Sequence, residues 1–382
     1  MRYDVIIVGA GAMGSAAAMH LATRGRSVIA FDRFGVPNDQ GSSHGLTRII
    51  RIAYYEHPSY VPLLIRAAEL WSELERLTGE RLFMRTGSID ASAPGDPVFE
   101  GSRRSCEMHG LRHEVLSSRE LGQRFPGYRL PADHVAVFQP DGGFLIPEVA
   151  VAAHARLAAA HGATIREHER VVSWEERDGG VEVTTENGRY VADHLVLSAG
   201  SWIADFLPAY ADLFEPERQV VTWFEIADSS KFAPERFPVF NLTVEEGRYY
   251  GFPEWGNPGF KVGRYHHLAG RVDPDSVDRV VHDADVEILH RFARRYFPEG
   301  AGPALQSSVC LFTNTPDEHF IIDRLPEHER VHVVSACSGH GFKFASVIGE
   351  IVADLVTTGG CRFDLSLFSM RRFEGRNDVL RA

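Results

Sequence analysis

Tyr3-Asp4-Val5-Ile6-Ile7-Val8-Gly9-Ala10-Gly11-Ala12-Met13-Gly14 is the stretch that decides the fold. Residues 3–8 are apolar apart from Asp4, as a strand buried inside a parallel sheet should be. The glycine-rich loop follows directly, then an alanine-rich helix former over residues 15–24. A second apolar run, residues 27–31, ends in Asp32. This order is the dinucleotide-binding βαβ unit. Gly9 permits the tight turn, Gly11 lets the backbone approach a pyrophosphate, and Gly14 lets helix and strand pack closely. The helix N-terminal amides around Ala10, Ala12 and Met13 carry partial positive charge toward the phosphates. Asp32 lies where a carboxylate accepts hydrogen bonds from the adenosine ribose. The motif implies an ADP-containing dinucleotide and does not by itself separate FAD from NAD.

The chain has 382 residues, enough for two domains sharing one cofactor, and 44% of them are hydrophobic, so a sizeable core is feasible. A formal net charge of −12 argues against nonspecific nucleic-acid binding, which needs clustered Lys and Arg. The first strand begins almost at Met1, leaving no room for a cationic, apolar secretory signal. No stretch approaches the roughly 18 uncharged apolar residues of a membrane span. The four cysteines, Cys106, Cys310, Cys337 and Cys361, lack metal-site spacing. These features lead us to expect a cytoplasmic protein with free thiols, no bound metal and no membrane or nucleic-acid partner.

Farther along, residues 62–78 read as an amphipathic helix, 85–93 as β-like, 116–125 as helical and 146–161 as an alanine-rich helix. Residues 171–183 alternate in strand fashion, and 194–197 form a buried strand leading to Ser198-Ala199-Gly200-Ser201-Trp202. Glycine directly after such a strand suits close backbone approach to a ligand. Residues 219–272 are mostly strand-like and 285–297 helical. Phe344, Val347, Ile348, Ile351, Val352 and Leu355 recur at helical spacing, and Gly359-Gly360 stops that helix. The expected fold is α/β: a Rossmann-like FAD-binding domain with an inserted, mainly antiparallel-sheet substrate domain. Residues 1–85, 145–215 and 305–382 are assigned to the first, and 86–144 and 216–304 to the second.

Several polar groups sit where chemistry is plausible. Arg48 and Arg51, in an apolar setting, need anionic partners, met either by structural salt bridges or by a cofactor and a substrate carboxylate. Lys343 follows Gly339-His340-Gly341-Phe342 at a helix start, where negative charge on a reduced flavin ring would be stabilised. Lys261 lies inside an apparent strand, and a buried lysine is costly unless it is hydrogen-bonded. His266 and His267 invite a zinc reading, but no third ligand stands out. Cys310 alone reads as a small buried apolar residue.

Taken together, GAGAMG, SSHGLTRIIR, YYGFPEWGNPGFKVG, CLFTNTPDEHFIID and SGHGFKF resemble the monomeric sarcosine oxidase and N-methyltryptophan oxidase group. That group lies within the D-amino-acid-oxidase-like flavoproteins. The resemblance covers nearly the whole chain and implies FAD attached through its 8α-methyl group to the thiolate of Cys310. It implies flavin contacts from Ser43, His44 and Arg48, and places Val172, Gly200, Trp202, Gly339, Gly341 and Phe342 against the cofactor. It also implies that Arg51 and Lys343 hold the substrate carboxylate, that Tyr250 lines the pocket and that Lys261 serves oxygen activation.

The implied reaction is oxidation of a small secondary amine bearing a carboxylate, by hydride transfer to flavin N5. Hydrolysis of the imine gives an aldehyde and the shorter amine, and O2 becomes H2O2. A monomer is the implied state. Two departures bear on substrate and site. Phe312 stands where the sarcosine oxidases have tyrosine, and Tyr265 where the family has histidine. His266, or His267, takes over that histidine's role if the strand carries a one-residue bulge. Oxidation of fructosyl or cyclic imino acids, a flavin dehydrogenase, and a regulatory dinucleotide-binding protein are the other readings.

Overall fold

The computed structural model describes residues 2–177 and 179–374. The first strand, Arg2–Val8, pairs in parallel with Val28–Phe31 on one side and Arg189–Leu197 on the other. Thr164–Arg166 extends the sheet beyond Val28–Phe31. His328–Ser335 joins Arg189–Leu197 in parallel, and Ile321–Leu325 closes that edge antiparallel. Valine and isoleucine fill the central strands because both faces are covered. Helices Ala12–Thr23, Val61–Thr78, Pro147–Ala160 and Ala345–Thr358 share one apolar cluster on a single side.

The run 171–183, expected as one alternating strand, is a hairpin. Val171–Arg177 and Gly180–Thr185 pair antiparallel and attach to Arg189–Leu197. The other expected helices lie within a few residues of their expected bounds, as Ser118–Arg124 and Asp283–Tyr296.

The second large sheet runs, from edge to edge, Ala304–Asn314, Glu215–Phe224, Phe260–Arg264, Gly247–Phe252, Val239–Val244, Ser88–Ser92, Val135–Gln139 and Glu114–Ser117. It is antiparallel except where Val239–Val244 meets Ser88–Ser92. Helix Asp283–Tyr296 packs Leu289, Phe292 and Ala293 against Phe240, Phe260 and Tyr249 of this sheet. The Phe292 and Tyr249 rings stack at 3.9 Å. Truncating such a buried ring to alanine costs about 3–5 kcal/mol.

One boundary drawn from sequence moves. Ala304–Asn314 pairs along its length with Glu215–Phe224, so this strand lies in the second sheet and not with the dinucleotide fold. Strand register explains the shift: residues 304–314 have no partner in the first sheet and ten in the second. The same pairing sets Cys310 opposite Gln219. A small sheet of Arg48–Ile50, Gly143–Leu145 and Phe83–Met84 completes the strand set.

Candidate active site

One large cavity is lined jointly by the glycine loop of the first sheet and by strands of the second. At the loop, two close approaches need glycine. A Cβ on Gly14 would lie 1.8 Å from Gly9 O, and one on Gly9 would lie 2.5 Å from Ser198 O. At Gly11 a Cβ would meet only Ser43 Oγ, at 3.8 Å, so that face is open to a ligand. The N-cap of the helix beginning at Ala12 is Gly11, which has no side chain to cap it; Ala12 N makes one long bond to Ser43 Oγ at 3.4 Å, and the helix N-terminus faces the cavity as an anion site.

Asp32 pins the loop. Its Oδ2 accepts from Ala10 N and its Oδ1 from Phe34 N, both at 2.9 Å, while burial pushes its carboxyl up to about 6. Gly9, Ala10, Gly11, Ala12, Met13, Asp32 and Ser43 all line this end, with Gly200, Trp202 and the largely exposed Val172. Gly14 does not line it; its part is packing. An uncapped helix terminus, a flat glycine face and a carboxylate at the end of the second strand are the donor and acceptor set of a dinucleotide. The residues fit FAD.

At the far end, Arg48 lines the cavity and is held by backbone carbonyls, its Nη1 donating to Thr47 O and its Nη2 to Ser42 O, each at 3.0 Å. Cys310 is 4% exposed and lines the cavity. Burial pushes its thiol up, and the Arg48 and Lys261 charges oppose that. Gly339, Gly341, Phe342 and Lys343 close the same end.

Arg51 lies within the lining, 1% exposed, between the rings of Tyr54 and Tyr55 at 4.2 and 4.0 Å. Its Nη2 donates to both oxygens of Glu56, at 2.5 and 2.7 Å, and its Nε lies 3.8 Å from Asp90 Oδ1. Burial works upward on Glu56, but the Arg51 charge outweighs it and brings that carboxyl down to about 2. The anionic partners that Arg51 needs are therefore internal.

Lys343 is different: its Nζ donates to His340 O at 2.5 Å, and burial, then the Arg51 charge, lowers it to about 7. Trp71 Nε1 donates to Lys343 O at 2.8 Å, fixing this turn. His340 stays neutral because burial takes it down to about 3. Its Nδ1 accepts from the Tyr54 hydroxyl at 2.6 Å while Nε2 donates to Glu318 O at 3.0 Å.

Besides Gly14, three expected residues lie outside the lining. Lys261 does not line this cavity; its Nζ donates to Gly45 O, Thr47 O and Thr47 Oγ1 at 2.5, 3.1 and 3.0 Å, between the Trp223 and Phe252 rings. Burial and the Arg48 charge pull its ammonium down, and the three oxygens favour the protonated form. It sits one layer back, behind the backbone that carries Arg48. His44 lines a shallow neighbouring recess with Gly45 and Glu148, and burial lowers it to about 4.

His266 is the clearest correction. The strands Gly247–Phe252 and Phe260–Arg264 pair in unbroken register, so there is no bulge to turn His266 inward. It sits in the following turn at φ 51°, bonded to Glu217 and Glu318 at 2.9 Å each. Those bonds raise it to about 9. Tyr265 lines the cavity instead, and His267 bonds Asp285 at 2.9 Å.

Tyr250 does line the cavity, its ring lying over Gly263, where a Cβ would come within 2.3 Å. Tyr265 stands 5.3 Å from Tyr250 and 6.1 Å from Phe312, ring centre to ring centre, making an aromatic wall. Sequence reading missed Glu56, Asp90, Asn241 and Phe252. Asp90 between Ile89 and Ala91, and Asn241 between Phe240 and Leu242, each a polar group flanked by apolar strand residues, were the signal.

Residues 4–355 match the family described as FAD dependent oxidoreductase. The chain is 40% identical over 377 residues to monomeric sarcosine oxidase of Bacillus sp. (strain NS-129), covering 97% of each. It is 36% identical over 377 residues to N-methyl-L-tryptophan oxidase of Yersinia pestis (strain Pestoides F), covering 98% of this chain and all of that one (100%). Among solved structures it is similar to NikD, described as an unusual amino acid oxidase essential for nikkomycin biosynthesis. The TM-score is 0.84 at 26% identity, over 96% of this chain and 97% of that one.

Proposed function

The chain belongs to the FAD-dependent oxidoreductase family, and from that premise we propose that it oxidises a small secondary amine bearing a carboxylate, sarcosine or another N-methyl amino acid. The observation that carries this reading is one cavity joining an FAD-compatible glycine loop to Arg51 and Lys343. FAD, when bound, accepts a hydride equivalent from the carbon next to nitrogen and passes the electrons to O2, giving H2O2.

The chain's own part is to bind and orient. Lys343 and Arg51 hold the carboxylate, and the fixed anchor presents the oxidised carbon in one position. Because Glu56 already engages Arg51 through both oxygens, Lys343 carries the larger share of this attraction. The amine must be neutral to react, since an ammonium has no lone pair to support hydride departure. Tyr250, Tyr265 and Phe312 give the reacting end apolar walls that exclude water. The imine product is hydrolysed to an aldehyde and the shorter amine. Lys261, whose Nζ donates to three oxygens of Gly45 and Thr47 that favour its protonated form, would with Arg48 in front of it supply positive charge where oxygen reduction develops negative charge.

In the same reading, the Cys310 thiol would hold the flavin through an 8α-S-cysteinyl link, supported by its place in the cavity lining. The two large sheets stand for the FAD-binding and substrate-binding domains. The protein acts as a monomer, as the Bacillus relative is described, and in the cytoplasm, with its four cysteines unpaired.

The experiment is the visible spectrum of the purified protein before and after acid precipitation, followed by peroxide release with N-methyl amino acids. A yellow pellet and peroxide from an N-methyl amino acid are expected. A colourless protein that takes up no FAD would overturn the reading.

A further inference from the structure

Across the second sheet, Asp90, Asn241, Tyr250 and Gly263 stand in one row, each register partner of the next. Side chains in such a row project from the same face. Tyr250 and Asn241 both line the cavity that holds Arg51 and Lys343. Asn241 is 1% exposed, and its two amide atoms are unequally served. Nδ2 donates to Asp90 Oδ1 at 3.1 Å, while Oδ1 has no hydrogen-bond partner among the described residues. Asp90 is fixed in turn, its Oδ2 accepting from Ser102 Oγ at 2.6 Å and its Oδ1 lying 3.8 Å from Arg51 Nε.

This arrangement orients the amide. Turned over, its oxygen would face the Asp90 carboxylate, acceptor against acceptor. The carbonyl is therefore left toward the cavity, and donation from Nδ2 to a carboxylate polarises it further. A buried acceptor without a partner is costly, and a ligand that displaces water from it must supply a donor.

We propose that Asn241 is a specificity-determining residue whose amide oxygen accepts a hydrogen bond from a hydroxyl or N–H group on the substrate's side chain. The preferred substrate is then a secondary amino acid with a donor-bearing side chain, and not sarcosine, which has none. Asp90 acts through Asn241 as a positioning residue. The inference rests on the oxidase reading above and narrows its substrate.

The test uses flavin-loaded protein and matched pairs at two chain lengths: N-methyl-L-serine and N-methyl-L-homoserine, each against its O-methyl ether. In each pair the ether loses the donor and gains a methyl group, so Asn241→Leu, which removes the acceptor at nearly constant side-chain size, separates the hydrogen bond from the fit. The expected kcat/KM preference for the hydroxyl member at the better-fitting length is about tenfold or more, the worth of one buried hydrogen bond to a polarised acceptor. Asn241→Leu should bring that ratio close to one. Asp90→Asn, which leaves the amide free to turn, should lower it while flavin content and Tm report the fold.

Dissociation constants of thioether analogues, with sulfur in place of the amine nitrogen, give the same comparison without turnover. A preference for the ether at both lengths would mean the amide faces the other way and would overturn the proposal. So would a ratio that survives in Asn241→Leu. If no N-methyl amino acid releases peroxide, the oxidase reading falls, and the thioether pairs still decide the role of Asn241.

Discussion

Lys343 offers a pH dependence whose sign and size follow from its surroundings. Buried beside Arg51, it is brought down to about 7, so its charge is present below neutrality and lost above it. A carboxylate bound at about 4 Å, in an effective dielectric near 20, attracts that charge by about 4 kcal/mol. This equals roughly 3 pKa units, so binding would lift Lys343 toward about 10. Affinity for a carboxylate is then flat below about pH 6 and falls about tenfold per unit between about 7 and 10.

The neighbours do not mimic this slope. Glu56 titrates at about 2, His340 at about 3, and Arg51 is held well above the usual range by Glu56 and Asp90 against the pull of burial. Burial raises Asp90, so Asp90→Asn serves as its control. Propionate is a suitable probe, because it has no amine and stays ionised throughout. Its dissociation constant is read from perturbation of the bound flavin's visible spectrum between pH 6 and pH 9. The slope should vanish in Lys343→Met. A pH-independent constant in the wild type, or an unchanged slope in that variant, would refute the reasoning.

Three further outcomes are expected. Gly14→Ala drives a Cβ into the Gly9 carbonyl, backbone that cannot move aside, and should cost about 1–3 kcal/mol or more, seen as a lower Tm and lost yellow colour. Cys310→Ser should shift the flavin from pellet to supernatant on acid precipitation; colour remaining in the pellet would place the link elsewhere. Lys261→Met should leave anaerobic flavin reduction nearly intact while slowing reoxidation by O2 about 100-fold, the order of losing one preorganised electrostatic partner. Unchanged reoxidation would remove Lys261 from that role.

The dinucleotide end of the site was legible because its constraints are local and steric. Gly14 meets Gly9 and Asp32 meets Ala10 within one βαβ unit, so their spacing along the chain sets their contacts, whereas the close approach of Gly9 to Ser198 comes from a distant strand. The helix Ala345–Thr358 was legible for the same reason: one apolar face, closed by glycine. What failed to show depends on pairing between distant segments. Nothing near residues 304–314 says that they add to Glu215–Phe224, and that pairing alone carries Cys310 into the second sheet. Likewise a bulge that would have aimed His266 inward is a property of register, and the register here is continuous.

The charges around Arg51 are the instructive case. Sequence established that a guanidinium in an apolar setting needs anions, but not which. Its partners prove to be Glu56, five residues on, and Asp90, which the second sheet brings in from the side. With one cation facing two carboxyl groups, this part of the cavity by itself has little positive charge to offer a substrate carboxylate. The balance is restored by Lys343, whose Nζ donates to the neutral carbonyl of His340. A buried ion cluster of this kind is costly to desolvate and gains from any ligand that completes it. The same Asp90 that offsets Arg51 also fixes the Asn241 amide. In the proposed reading, carboxylate anchoring and side-chain recognition share Asp90, and substitutions there should disturb both at once.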